Sequence, residues 1–135
     1  MSLLTSSEFI SCDVLCSKLV QSSEILYSGL VNKKGRVVTG NQSDSLEFHD
    51  EKSLEMFVME IALDFSMKNE FNDILGKVQY SATKRNRFNV LCIPIDELIL
   101  VLIIDDTISL EKVVKRVYHI LYELTKKDLS LHELV

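Results

Sequence analysis

Residues 98–104 read Leu-Ile-Leu-Val-Leu-Ile-Ile, seven apolar side chains in a row, with Asp96-Glu97 in front and Asp105-Asp106 behind. Successive side chains of a β-strand point to opposite faces, so a strand with one wet face alternates apolar and polar residues. A run without alternation belongs to a strand covered on both faces, and therefore to the interior of a sheet. The run is far shorter than the roughly 20 residues of a membrane span, and its β-branched content and close acidic brackets disfavour a helix. The stretch predicts a central strand with helices packed above and below it.

The chain around it has 135 residues, 47% of them hydrophobic, with one proline and four glycines. That suits one ordered domain, residues 1–135, and excludes disorder and low-complexity repeats. No basic segment precedes an apolar stretch at the start, so a cytoplasmic location without membrane insertion is expected. Cys12, Cys16 and Cys92 are an odd number in apolar settings, which suits reduced, buried thiols better than a disulfide framework. A formal net charge of −5 argues against a dedicated nucleic-acid binder. The charge is nonetheless uneven. Residues 1–76 carry six basic and twelve acidic side chains, whereas residues 77–88 carry Lys77, Lys84, Arg85 and Arg87 and no acid.

Thr5 and Glu8 have capping-box spacing, and Phe9, Cys12, Cys16, Leu19 and Val20 follow with helical period, predicting a helix over about 6–22. Two short strands, 25–31 and 36–40, flank a turn in which Gly35 is able to take a positive φ. Residues 41–53 are polar and predict a surface loop. Ser53 is placed to cap a second helix, whose stripe is Leu54, Phe57, Val58, Ile61, Ala62 and Phe65. Met56, Met59, Leu63 and Met67 lie off that stripe, so this helix is apolar over more than half its circumference and is expected to be covered on more than one side. Asn69 breaks or re-caps it, and Phe71, Ile74 and Leu75 add a turn ended by Gly76. Val78, Tyr80 and Ala82 alternate with polar residues, predicting a half-exposed strand over 77–84. A basic turn leads to a strand over 88–93, with Pro94 closing it or forcing it to an edge. Ser109 caps a last helix bearing Leu110, Val113, Val114, Val117, Tyr118, Leu121 and Leu124, and a polar tail covers 126–135. The element order is α-β-β-α-β-β-β-α, and the central strand requires a three-layer α/β/α sandwich with a five-stranded antiparallel sheet.

This order, with the hairpin Tyr-Ser-Gly-Leu-Val-Asn-Lys-Lys-Gly-Arg-Val-Val-Thr-Gly at residues 27–40, resembles the roadblock family of profilin-like domains, including its small archaeal members. The resemblance implies the strand order 2-1-5-4-3, which sets residues 98–104 in the middle of the sheet. It also implies a non-catalytic interaction module without a cofactor. Such a module dimerises by pairing third strands and packing middle helices, with its own copy or a related chain, and acts with a small GTPase or signalling complex. The implied interface residues are Val78, Tyr80 and Ala82 on the strand and Met56, Met59 and Leu63 on the helix. Lys84, Arg85 and Arg87 form a candidate surface for an acidic partner.

Other constellations are weak. Cys12 and Cys16 share a helical face, but no second Cys or His pair with zinc spacing accompanies them, and His49, His119 and His132 are scattered. Cys92 with His119 forms no recognisable nucleophile and base pair. Asp96-Glu97 and Asp105-Asp106 are most simply turn formers, and no glycine-rich loop leads into a helix N-terminus. The alternative to an interaction module is a small-ligand sensor with a pocket between sheet and middle helix, lined by Phe57, Ile61, Phe65 and Tyr80. An enzyme is a distant third.

Overall fold

The computed structural model describes residues 16–19, 24–42, 46, 48 and 50–127. The strands are β1 (Ile25–Asn32), β2 (Val37–Gln42), β3 (Ser81–Lys84), β4 (Phe88–Ile95) and β5 (Leu98–Asp105). The helices are α1 (Glu51–Asn69), the single turn α2 (Asn72–Leu75) and α3 (Leu110–Lys127). Residues 16–19 are also helical; the rest of the helix expected over 6–22, including Cys12, lies outside the described residues, as does the tail beyond 127. All five strands form one antiparallel sheet in the order β2-β1-β5-β4-β3.

The unbroken apolar run is explained by what covers it. On one face Leu98, Leu100, Leu102 and Ile104 pack with Leu91 and Ile93 of β4 against Val113, Val117 and Leu121 of α3 and against Cys16 and Leu19. On the other, Ile99, Val101 and Ile103 pack with Val90 and Cys92 against Val58, Ile61 and Phe65 of α1. Both parities of β5 are therefore apolar because both faces are dry, each full burial contributing roughly 1.5–3 kcal/mol. Tyr118, expected on the buried stripe of α3, is instead exposed.

The acidic brackets end the strand in turns. Asp96 takes φ 54 in the two-residue link from β4 to β5, and Glu97 pairs with Lys33 at 2.7 Å. The Asp105 carboxylate accepts from Thr107 N and Oγ1 at 3.0 and 2.8 Å, which holds its pKa below the ordinary carboxylate value. In the β1–β2 hairpin, Gly35 has φ +79 and its N–H donates to the Asn32 carbonyl at 3.0 Å. Asn32 Oδ1 also accepts from Lys34 N and Arg36 N.

Two elements depart from expectation. Helix α1 begins three residues early because Asp50, not Ser53, is its N-cap: the Asp50 carboxylate accepts from Ser53 N at 2.8 Å. Strand β3 begins at Ser81 rather than at 77. Its register with β4 pairs Ser81 with Cys92 and Lys84 with Asn89, and continued backward would set Gln79 opposite Pro94, which has no N–H to donate. Beyond β3's reach, Pro94 lies on the open edge of β4.

Candidate interaction surface

Helix α1 carries two apolar rows. The inner row, Val58, Ile61, Ala62 and Phe65, is buried against the sheet. The second row faces outward: Met56, Met59, Leu63 and Met67 are 73, 45, 59 and 69% exposed. Among the described residues the expected cover on a second side is largely missing: Met59 packs on Gly35 of the β1–β2 turn, and Met56, Leu63 and Met67 stay more than half exposed.

Beside it runs the edge of the sheet. Among the described residues strand β3 pairs only with β4, which leaves its outer backbone groups open there. A groove of about 720 Å³ separates helix from strand, walled by Met56, Met59, Leu63 and Met67 and by Ser81, Thr83 and Arg85, with Val90 and Cys92 at its floor. Its rim carries Glu55, Glu60 and Asp64 on the helix side. Of the ligand-pocket residues expected, Phe57 and Ile61 line this groove. Phe65 lies under the helix and lines a separate cleft, and Tyr80 lines neither.

The interface residues expected on the strand sit differently. Thr83 pairs with Val90 and Ser81 with Cys92, both on the α1 face, so Ser81 and Thr83 point toward the helix. Ala82 pairs with Leu91 and belongs to the opposite face. Val78 precedes the strand and is half-buried against the α1-side core, while Tyr80 is exposed. Sequence parity places Val78, Tyr80 and Ala82 on one face because it extends the strand through residues that are not in it. The one available signal for the true parity is β4, whose Val90 and Cys92 share a face two residues apart.

At the far end of β3, Lys84, Arg85 and Arg87 are exposed. Asn89 Oδ1 accepts from Arg85 N at 3.2 Å, and the Arg87 guanidinium lies 5.3 Å from the Phe88 ring centroid. The turn is thereby a shaped basic projection. Sequence reading also misses how exposed the segment after α1 is: Phe71, Ile74 and Leu75 are 55, 82 and 78% exposed.

The candidates for chemistry do not converge. Cys92 faces α1, whereas His119 is on α3, across the sheet. Burial, with a smaller contribution from Asp64, pushes the Cys92 thiol up to about 12, so it is not a poised nucleophile. Cys16 is buried on the α3 side. Among the described residues no three His, Cys, Asp or Glu side chains gather as metal ligands, and no helix is long and apolar enough to cross a membrane.

A five-stranded 2-1-5-4-3 sheet between a middle helix and a terminal helix is the roadblock architecture, shared with profilins. The chain belongs to a family of unknown function, DUF6659, whose model matches residues 7–130. Among solved structures it is similar to MglB of Myxococcus xanthus (18% identity, TM-score 0.74, 96% of each chain covered). It is similar also to the gliding protein MglB of Thermus thermophilus (16%, 0.70, 94% of this chain and 96% of that one). A roadblock/LC7 domain from Streptomyces avermitilis gives 12%, 0.67, 85% and 95%. At such identities the likeness shows the fold. No curated protein matches the chain.

Proposed function

We propose that this chain is a non-catalytic interaction module that pairs with a second copy of itself through α1 and the edge of β3, and presents the joined surface to a regulatory partner such as a small GTPase. The observation that carries the reading is the outward row Met56, Met59, Leu63 and Met67 beside an open edge strand. Phe71, Ile74, Leu75 and Tyr80 are exposed as well, and large apolar side chains left uncovered in this way mark an interaction surface. An unpaired edge next to such a surface calls for a cognate strand. A solved MglB is described as having a tetrameric arrangement, so this fold supports self-assembly there. The burial of Cys16 and Cys92 suits a reducing cytoplasm.

Sedimentation equilibrium at micromolar concentration tests the pairing. A dimer that Leu63→Asp converts to a folded monomer is expected; a wild-type monomer at about 50 μM, well above the Kd of a specific dimer, overturns it. The groove keeps a second reading in play, a sensor of an apolar metabolite. Native mass spectrometry of the freshly purified chain separates them: a retained small molecule supports the sensor, and a bare dimer mass supports the module.

A further inference from the structure

The two ends of the β3 edge carry opposite charge. After β3, the turn at residues 84–87 presents Lys84, Arg85 and Arg87, all exposed. Before β3, the elbow at residues 70–75 carries Glu70 and Asp73, and both share a cleft of about 490 Å³ with Pro94 of β4 and Asp96 of the β4–β5 turn. The cations at that end include Lys33, already engaged with Glu97 at 2.7 Å, and Lys77. The elbow is also apolar outward. Ile74 and Leu75 are among the most exposed large side chains of the protein, on a helical turn of four residues. A helix that short has no stability of its own in water, so two uncovered aliphatics on it are best accounted for by a surface that they meet.

Topology says what that surface is. Edge strands paired about a two-fold axis run antiparallel, so the segment before β3 in one copy lies beside the segment after β3 in the other. The basic turn directly follows β3, and the acidic elbow, separated from β3 by residues 76–80 with their one cation Lys77, reaches the same end of the edge because it lies against Pro94, the residue level with position 79 in the β3–β4 register. We propose that the elbow of one copy, with Glu70, Asp73, Ile74 and Leu75, clasps the Lys84, Arg85 and Arg87 turn of a second copy, so that the pairing along β3 is closed by two symmetric clasps. The carboxylates meet the cationic heads. The aliphatic side chains meet the arginine stems and the Phe88 ring on which Arg87 rests. The two-fold makes each contact occur twice, so modest charge pairs at the rim add up and set the register of an otherwise short strand pairing. The inference rests on self-pairing through α1 and β3, and it names which flanking segments meet.

A charge swap on the full chain tests it by sedimentation equilibrium at about 0.15 M and about 0.5 M salt, where screening differs. The pair Glu70→Lys with Asp73→Lys is expected to weaken the dimer about tenfold or more, the pair Arg85→Glu with Arg87→Glu similarly, and each more at low salt. All four substitutions together restore the complementarity with its sign reversed and are expected to recover most of the affinity, which no merely structural role of these exposed residues would do. If the wild type is a dimer that Leu63→Asp breaks, yet the charge pairs leave it unchanged or the fourfold variant is weaker than either pair, the clasp is overturned and the dimer stands. If the wild type is monomeric, both fall.

Discussion

The inner and outer rows of α1 interleave along one helix, both apolar, and have opposite fates. Val58, Ile61, Ala62 and Phe65 close one face of the sheet, while among the described residues Met56, Leu63 and Met67 stay mostly exposed and Met59 packs only on the β1–β2 turn at Gly35. Helix α3 has a more polar outer face: Val113, Val117 and Leu121 are buried, while Lys112, Lys115, Arg116 and His119 face solvent and its exposed large side chains, Tyr118 and Tyr122, each end in a hydroxyl. The contrast separates apolar residues required by folding from apolar residues in excess of it. Surplus methionines are what an adaptable protein-binding face uses, because an unbranched thioether fits irregular surfaces.

The sharpest way to break this comparison is to substitute neighbours from the two rows. Phe65→Ala, removing a ring that is 3% exposed, is expected to cost about 4 kcal/mol in urea unfolding. Leu63→Asp, two residues away and outward, is expected to leave the stability of the monomer within about 0.5 kcal/mol while abolishing self-association. Equal losses of folding stability from both would erase the distinction between the rows.

The thiol of Cys92 sharpens the same boundary, since it lies on the groove floor yet is closed off by the inner row. Burial raises its pKa from 9.0 to about 12, so the unfolded chain releases this proton first and unfolding becomes easier as pH rises from about 9 toward 12. Unfolding followed across that window should show a decline that Cys92→Ala diminishes, and native Cys92 should resist alkylation at pH 8. Rapid modification under native conditions would mean that the groove opens to its floor.

Much of this is legible in sequence, and the failures have physical causes. Residues 98–104 announce a doubly covered strand because burial on both faces leaves no alternation. The stripe from Leu54 to Phe65 announces α1 because helical period survives any context. What is not legible depends on partners remote in the chain. Local pattern overextends β3 because the residue that ends its ladder, Pro94, is on β4. The parity of Ser81 and Thr83 follows from Val90 and Cys92, not from the local pattern of Val78, Tyr80 and Ala82. The exposure of Ile74 and Leu75 has no local signature, since an apolar pair after a helix reads equally well as core or as contact surface.

A smaller effect tests how α1 is started, and so where both rows begin. Asp50→Ala removes the carboxylate that accepts from Ser53 N and is expected to cost about 1 kcal/mol, whereas Ser53→Ala is expected to cost only a few tenths. Reversed magnitudes in the same unfolding assay would restore Ser53 as the cap.

The smallest expected effect is a gain. Tyr27 packs edge-on to Phe48 with centroids 6.3 Å apart, on the side of the sheet that α1 covers. Its ring lies over Gly29, where any side chain would collide with it, and its hydroxyl reaches Gly40. The hydroxyl is buried without a hydrogen-bond partner among the described residues, and burial, with a smaller contribution from Cys16, raises its pKa from 10.0 to about 12. A buried hydroxyl that makes no hydrogen bond carries its desolvation cost uncompensated, and the phenyl ring alone keeps the contacts with Phe48 and Gly29. Tyr27→Phe is therefore expected to stabilise the fold by up to about 1 kcal/mol at neutral pH. It should also remove the part of the alkaline decline that begins near pH 10, where the unfolded phenol ionises and the native one does not. A loss of stability instead would mean that an ordered water satisfies the hydroxyl, and that the inner row of α1 closes over a wet core rather than a dry one.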